Sequence, residues 1–287
     1  MGMTHVMAFD SYKNSVTKNE TISLPVTVFE CPAMRIFSVR GYTHDHYGYK
    51  VAREIIVAPK DKHMTRKVSA HKASTPSTID SFSIDNLDDV TVILSTQPSL
   101  TGTGQKKPQL FEVELGGKTV AEKFEGAKSL VGKDIKASDL FKAGDYIDFH
   151  AITKGYGIQG PVRRFGISFK GHKSEKGVRR PGSIAGGWSA QQHTMYRVAY
   201  SGQTGYHQRT QYNNQILKIT DNPDDVNPAG GFVHYGVGHK GNEFVLIRGS
   251  APGARNRLVT FVKAIRVKKA TTVPTVEHIS LQSKQGK

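Results

Sequence analysis

The sequence predicts a mainly β protein, and three observations predict it. Short segments rich in β-branched and aromatic residues recur along all 287 residues. Gly, Pro, Asn and Asp separate many of these segments. One of them, "DYIDFHAI", alternates strictly. It puts Tyr146, Asp148 and His150 on one face and Ile147, Phe149 and Ala151 on the other. One face is therefore expected to be wet, as in an antiparallel sheet or a small barrel.

In chain order the expected strands are "THVMAF", "LPVTVFE", "RIFSVRGY", "DVTVILST", "LFEVELG", "DYIDFHAI", "TMYRVAY", "QILKI", "FVLIRG" and "RLVTFVKAIRV". One helix stands out, "TVAEKFEGAKSLVG". Thr119 and Glu122 form a capping box, Val120, Phe124, Ala127 and Val131 recur at helical spacing, and Gly132 is the stop. A shorter turn, "ASDLFKAG", ends at Gly144. Residues near 51–132 thus read as a strand-and-helix insertion in a β chain. Its polar stretch "KDKHMTRKVSAHKASTPSTIDS" fits a surface loop or a weak helix equally.

Charge narrows the function. The chain has 40 Lys+Arg against 24 Asp+Glu, a net charge of +16. A compact fold that cationic repels itself, so a polyanion partner is expected, nucleic acid first and an anionic membrane second. Cys31 is the only cysteine, which excludes an intramolecular disulfide and a thiolate zinc cluster. No apolar run approaches the roughly 20 residues of a membrane-spanning helix. The start "MGMTHVMAFD" lacks the regions of a signal peptide, and Val6 departs from the myristoylation pattern. The expectation is a cytoplasmic protein without a membrane partner.

The charge concentrates between Lys154 and Arg209. Lys154, Arg163, Arg164, Lys170, Lys173, Lys176, Arg179, Arg180, Arg197 and Arg209 lie there, with Glu175 as the only acid. Glycines punctuate the same stretch. Residues 155–187 show little apolar periodicity, so they cannot bury themselves against a core alone. Folded back as a two-stranded arm they reach roughly 50 Å at about 3.3 Å per residue. Such an arm is expected to be poorly ordered until a polyanion neutralises it.

Within it, Gly155, Gly157 and Gly160 spell G-x-G-x-x-G, the dinucleotide fingerprint. That motif needs a strand before it and a helix after it, with an acid about 20 residues on. The following "PVRRFGISFKGHKSEKG" has no helical stripe, and Arg179 and Arg180 occupy the acid's place, which leaves only an NADP enzyme as a rival reading. The better reading is close approach of backbone to a sugar-phosphate chain at the three glycines.

"GQTGYHQRTQYN" interleaves Tyr206, His207, Gln208, Arg209 and Tyr212, rings and planes that stack on bases beside amides that bond base edges. A β-turn with a buried tyrosine is the plainer reading. Trp188 in "GGWSAQQH" is either a core residue or an exposed stacking or wedging group at a loop tip. His172 lies within the arm. "GQKKPQ", with Lys106 and Lys107, and "RGSAPGARNR", with Arg248, Arg255 and Arg257, are solvated loops or extensions of one phosphate-binding face. His44 and His46 lie close together, yet no set of His, Cys and carboxylates has metal-ligand spacing. Asp145 and Asp148 read as surface or strand-end acids. No catalytic residue, metal or cofactor is expected.

The segments "GMTHV", "STQPSLTG", "KKPQLFEVELGG", "DLFKAGDYIDFHAITKGYGIQGPVRRFG", "GQTGYHQRT" and "GGFVHYG…VLIRGSAPG…R" together resemble, in order and over almost the whole chain, the ribosomal protein L3 family in its archaeal and eukaryotic form. The resemblance implies a Greek-key β-barrel of translation-protein type (1–50, 133–154 and 210–287), an inserted α/β portion (51–132), and a basic RNA-penetrating extension (155–209) with its tip near Trp188. It implies large-subunit ribosomal RNA and neighbouring ribosomal proteins as partners, a role early in assembly, an extension toward the peptidyl-transferase centre, and no catalysis and no small-molecule substrate. The alternative is a non-ribosomal RNA chaperone or assembly factor. Two departures stand out: no basic tail precedes "GMTHV", and "SAQQ" follows Trp188 where relatives have a Pro-containing turn.

Overall fold

The computed structural model describes residues 1–12, 14–57, 61–69, 79–174, 176–182, 198–267 and 272–282. Among them are strands β1 (Gly2–Phe9), β2 (Thr21–Cys31), β3 (Arg35–Asp45), β4 (Gly48–Ile56), β5 (Asp89–Ser95), β6 (Leu110–Glu114), β7 (Tyr146–Ile152), β8 (Ile158–Gln159), β9 (Gly202–Gln203), β10 (Gln208–Thr220), β11 (Glu243–Arg248), β12 (Thr260–Lys263) and β13 (Thr275–Ile279). Three short helices accompany them: α1 (Val120–Leu130), α2 (Ala137–Leu140) and α3 (Pro161–Phe165). The protein is mainly β, and the strand pairs with a defined register are antiparallel.

The chain divides into two compact units. Unit 1 comprises Met1–Ile147, Asn213–Ser250 and Lys263–Lys287; unit 2 comprises Asp148–Tyr212 and Ala251–Val262.

In unit 1 a sheet runs in the order β10-β11-β2-β1-β13. Its core follows from period-two alternation. Val6 and Ala8 on β1 and Leu24, Val26 and Val28 on β2 point to one side, where they meet Leu217, Phe244 and Leu246. Burying each of these larger side chains contributes about 1.5–3 kcal/mol, which fixes register, since a one-residue slip would expose the whole set. A second sheet of unit 1 has the order β4-β3-β5-β6. Val90, Val92 and Leu94 of β5 pack against Phe124 and Ala127 of α1, and Phe82 stacks on Phe124 at 5.4 Å.

The helix α1 forms where expected. Thr119 accepts a hydrogen bond from the Glu122 N–H at 3.3 Å, while the Glu122 carboxylate reaches back to the Lys118 N–H at 2.8 Å, one residue earlier than a strict capping box requires. Gly132 follows the helix in the left-handed region at φ 79°.

Several elements differ from expectation. Strand β4 has no alternation to betray it because it is exposed along most of its length, and residues 50 and 51 both fall inside it. The expected strand at 194–200 is absent at 198–200, and 194–197 lie outside the described residues. Asp148 is buried, not a surface acid, so the "wet" face of β7 is wet only at its Tyr146 and His150 positions. The undecided polar stretch contains two single 3-10 turns, Met64–Arg66 and Ile79–Ser81, on either side of residues outside the description.

Candidate nucleic-acid interface

Unit 2 is a ribbon carrying a basic loop. Beyond β7 the chain stays paired with the segment leading into β10. The Thr153 N–H donates to the His207 carbonyl at 3.0 Å, the Tyr156 N–H to the Thr204 carbonyl at 2.9 Å, and the Thr204 N–H to the Gly157 carbonyl at 2.9 Å. β8 and β9 then pair Ile158 with Gln203 and Gln159 with Gly202. His150 and Thr210 add a side-chain bond of 3.0 Å.

The three fingerprint glycines lie along this ribbon, between β7 and the short helix α3. Gly155 makes room for Tyr206, whose Cβ would lie 3.2 Å from a Cβ built on it. Gly157 takes a left-handed φ of 70°. Gly160 has an ordinary φ of −71° and open space around it, so the chain itself does not require glycine there. A helix does follow Gly160, contrary to expectation, but it is only five residues long and ends at Gly166, φ 69°. Arg163 and Arg164 sit in its last turn.

The charge of unit 2 is lopsided. Its segments contain twelve Lys+Arg and two Asp+Glu, a net +10 of the chain's +16. One of the two acids, Asp148, is buried; the other, Glu175, lies outside the described residues. In unit 1, by contrast, cations are paired with carboxylates, as in Arg35–Asp134, Arg40–Glu54, Lys123–Asp89 and Lys128–Asp80. Lys154, Arg163, Arg164, Lys170, His172, Lys173, Lys176, Arg179 and Arg180 are all exposed, as are Gln208, Arg209 and Arg255. His207 is half-buried, and its carbonyl accepts from the backbone and the side chain of Thr153.

Two of the expected contact residues have work inside the fold. Arg257 donates to the carbonyls of Ile152 at 3.0 Å and Thr153 at 2.8 Å and stands 5.5 Å above the Tyr206 ring. Arg164 donates to the Tyr200 carbonyl at 3.0 Å. Lys106, Lys107 and Arg248 belong to unit 1. The two lysines are exposed, while Arg248 is half-buried 5.6 Å over the Tyr12 ring. Trp188 and Arg197 lie outside the described residues.

Sequence reasoning missed a set of rings. Tyr156, Phe165 and Phe169 are each about half exposed, and each carries a cation on its face. Arg163 stands 5.1 Å from Tyr156, Arg164 5.0 Å from Phe165 and Arg179 4.9 Å from Phe169. With Tyr206 they make four exposed aromatic–guanidinium pairs on a surface without described carboxylates. The signal was readable in "YGIQGPVRRFGISF", where aromatic residues recur among arginines outside any apolar period.

These features define a class: a mainly antiparallel β protein whose smaller unit is a cationic, ring-bearing surface shaped for a polyanion. Comparison with known proteins agrees. The chain belongs to the family described as ribosomal protein L3, whose model matches residues 1–286. It is 42% identical over 294 residues to the large ribosomal subunit protein uL3 of Methanosphaera stadtmanae, covering 100% of this chain and 86% of that one. To the uL3 protein of Methanothermobacter thermautotrophicus it is 43% identical over 295 residues, covering 99% and 86%. The match to Methanobrevibacter smithii uL3 is 40% over 296 residues, with coverage of 100% and 86%.

Proposed function

We propose that unit 2 is the part of this chain that binds ribosomal RNA. The chain is a structural constituent of the large ribosomal subunit in the cytoplasm, with ribosomal RNA and neighbouring ribosomal proteins as partners, and it is not an enzyme. The observation that carries the assignment to unit 2 is its net +10 charge, carried largely by exposed Lys and Arg side chains. In an isolated protein such a surface is held apart by its own repulsion; among phosphates, each cation replaces a counterion and lowers the free energy of the packed RNA.

In this reading Lys154, Arg163, Lys170, His172, Lys173, Lys176, Arg179, Arg180, Arg197, Arg209 and Arg255 contact phosphate, with Lys106, Lys107 and Arg248 of unit 1 as further contacts. Tyr206, His207, Gln208 and Trp188 meet bases or sugars, and open Gly160 admits a sugar-phosphate chain closely. Arg257 and Arg164 hold the surface in shape. The division into a barrel core, an insertion at 51–132 and an extension at 155–209 directed toward the peptidyl-transferase centre belongs to the same reading, as does a role early in assembly.

Hydroxyl-radical footprinting on naked large-subunit RNA tests it, using the full chain and a chain lacking residues 155–187. Protection that depends on those residues is expected. An identical footprint from both chains would contradict the assignment.

A further inference from the structure

Among the described residues, the second sheet of unit 1 leaves one face without a covering element over part of its area, and that face has the wrong charge for RNA. On the other face α1 packs against β5. On the open face, cross-strand register places Arg40 opposite Glu54, Tyr42 opposite Val51, and His44 opposite Tyr49. On β5 and β6 the same face carries Asp89, Thr91, Glu112 and Glu114.

One end of this face is closed by Met64, packed against Ile93 and Phe37. The middle is a polar network. Arg40 bridges Glu54 at 2.8 Å and Glu112 at 3.1 Å, and Glu112 also accepts from Tyr42 at 2.5 Å and Thr91 at 2.6 Å. The far end is aromatic and open. Tyr49 is 69% exposed and meets His44 and Tyr42 edge-on at 5.3 and 6.4 Å. Val51 is exposed beside it.

The charged groups of the face are four carboxylates, Glu54, Asp89, Glu112 and Glu114, and two cations, Arg40 and Lys123. Lys123 reaches Asp89 at 2.6 Å. Glu114 is exposed, and no described cation lies within ion-pair distance of it. On a chain of net +16, this is a local excess of negative charge beside exposed rings. Phosphates are repelled there, whereas ammonium and guanidinium groups are attracted both by the carboxylates and by the ring faces. The strand β4 at the sheet's edge adds a row of backbone groups open to pairing.

We propose that this face, centred on Tyr49, Val51 and Glu114, is a docking surface for an extended Lys/Arg-rich segment of another protein of the subunit. The inference rests on the ribosomal reading only for the pool of partners. It assigns unit 1 a protein contact where unit 2 is assigned RNA.

Two measurements test it. A photo-cross-linking benzoyl-phenylalanine replaces Val51 in chains assembled into large subunits, and the adduct is identified by peptide mass spectrometry. The expected adduct is a Lys/Arg-rich protein segment, with a yield falling at least fivefold when Glu114→Lys is added. Adducts to ribosomal RNA, to a second copy of this chain or to a segment without basic residues would overturn the proposal, as would a yield unchanged by Glu114→Lys. In the second measurement the purified chain is titrated with a peptide of alternating Gly and Arg. The expected result is binding that Tyr49→Ser and Glu114→Lys each weaken at least fivefold. Absent binding, or binding unmoved by both, would sink it. A chain that fails to enter subunits counts against the ribosomal reading, and the peptide titration still decides this one.

Discussion

Gly205 lies so close to Lys154 that a Cβ at position 205 would stand 1.9 Å from the Lys154 carbonyl oxygen. Gly205 and Tyr206 are both left-handed, at φ 69° and 58°, and the Tyr206 N–H donates back to that same carbonyl at 3.3 Å. This pinch holds the two sides of the unit 2 ribbon together just below the basic loop. Its steric demand admits glycine alone, because a Cβ there meets backbone and not a yielding side chain.

Gly205→Ala is therefore expected to cost about 3 kcal/mol or more, combining left-handed strain with a backbone clash. Limited proteolysis and urea unfolding check it. The loss should appear as early cleavage within 153–207. Full wild-type resistance would contradict the pinch.

Arg257 and Arg163 should separate fold from binding. Arg257→Ala removes two bonds to backbone carbonyls and a ring contact, and is expected to destabilise unit 2 by about 1–3 kcal/mol. Lysine should restore it only in part, since an ammonium can donate to the two carbonyls but lacks the planar guanidinium that stands over the Tyr206 ring. Arg163→Ala should leave thermal unfolding unchanged while lowering the RNA salt slope by about one unit. Calorimetry and filter binding, run on both variants, read the two effects.

Acid should loosen the second sheet of unit 1. Burial pushes the Glu112 carboxyl up, but hydrogen bonds from Thr91 and Tyr42 and the charge of Arg40 outweigh it and hold the group below its ordinary 4.5. A depressed carboxylate stabilises the fold above its unfolded value, and that stabilisation is lost as pH falls through the folded one. Denaturant midpoints measured from pH 7 to pH 3 should drop below about pH 4.5, and Glu112→Gln should flatten the drop.

Cys31 should be slow to react. Burial, with Glu243 and Glu30 nearby, pushes its thiol up to about 12. Little thiolate exists at pH 8, so alkylation by iodoacetamide should be far slower than for a free thiol and should accelerate on unfolding. Rapid native-state alkylation would contradict this environment.

Much of this was legible in the chain itself. Alternation in "LPVTVFE" reports burial on one face, the continuous apolar run in "FVLIRG" reports burial on both, and Thr119 with Glu122 marks a helix start by local hydrogen bonding alone. The charge surplus and the glycines mark unit 2 because neither depends on packing. What stayed hidden depends on partners distant in sequence. β4 carries no apolar stripe, because α1 packs chiefly on β5 and the aromatic end of the opposite face is open. β8 and β9 are two residues each, too short to show a period, and Ile158 meets its partner Gln203 45 positions further on. Asp148 alternates like a surface acid and is buried by strands the sequence cannot place beside it. The structural duties of Arg257 and Arg164 need their carbonyl acceptors, which lie 105 and 36 residues away.

The central claim is that unit 2 exchanges its counterions for RNA phosphates. The most direct measurement is the dependence of log K on log salt for binding to naked large-subunit RNA, comparing the full chain with one whose residues 160–201 are replaced by a short Gly-Ser linker. That replacement removes eight Lys+Arg. If most of them meet phosphate, the slope should fall by several units, at about 0.7–0.9 per contact, and affinity should fall with it. A slope and affinity equal to those of the intact chain would place the RNA contacts elsewhere and contradict the account.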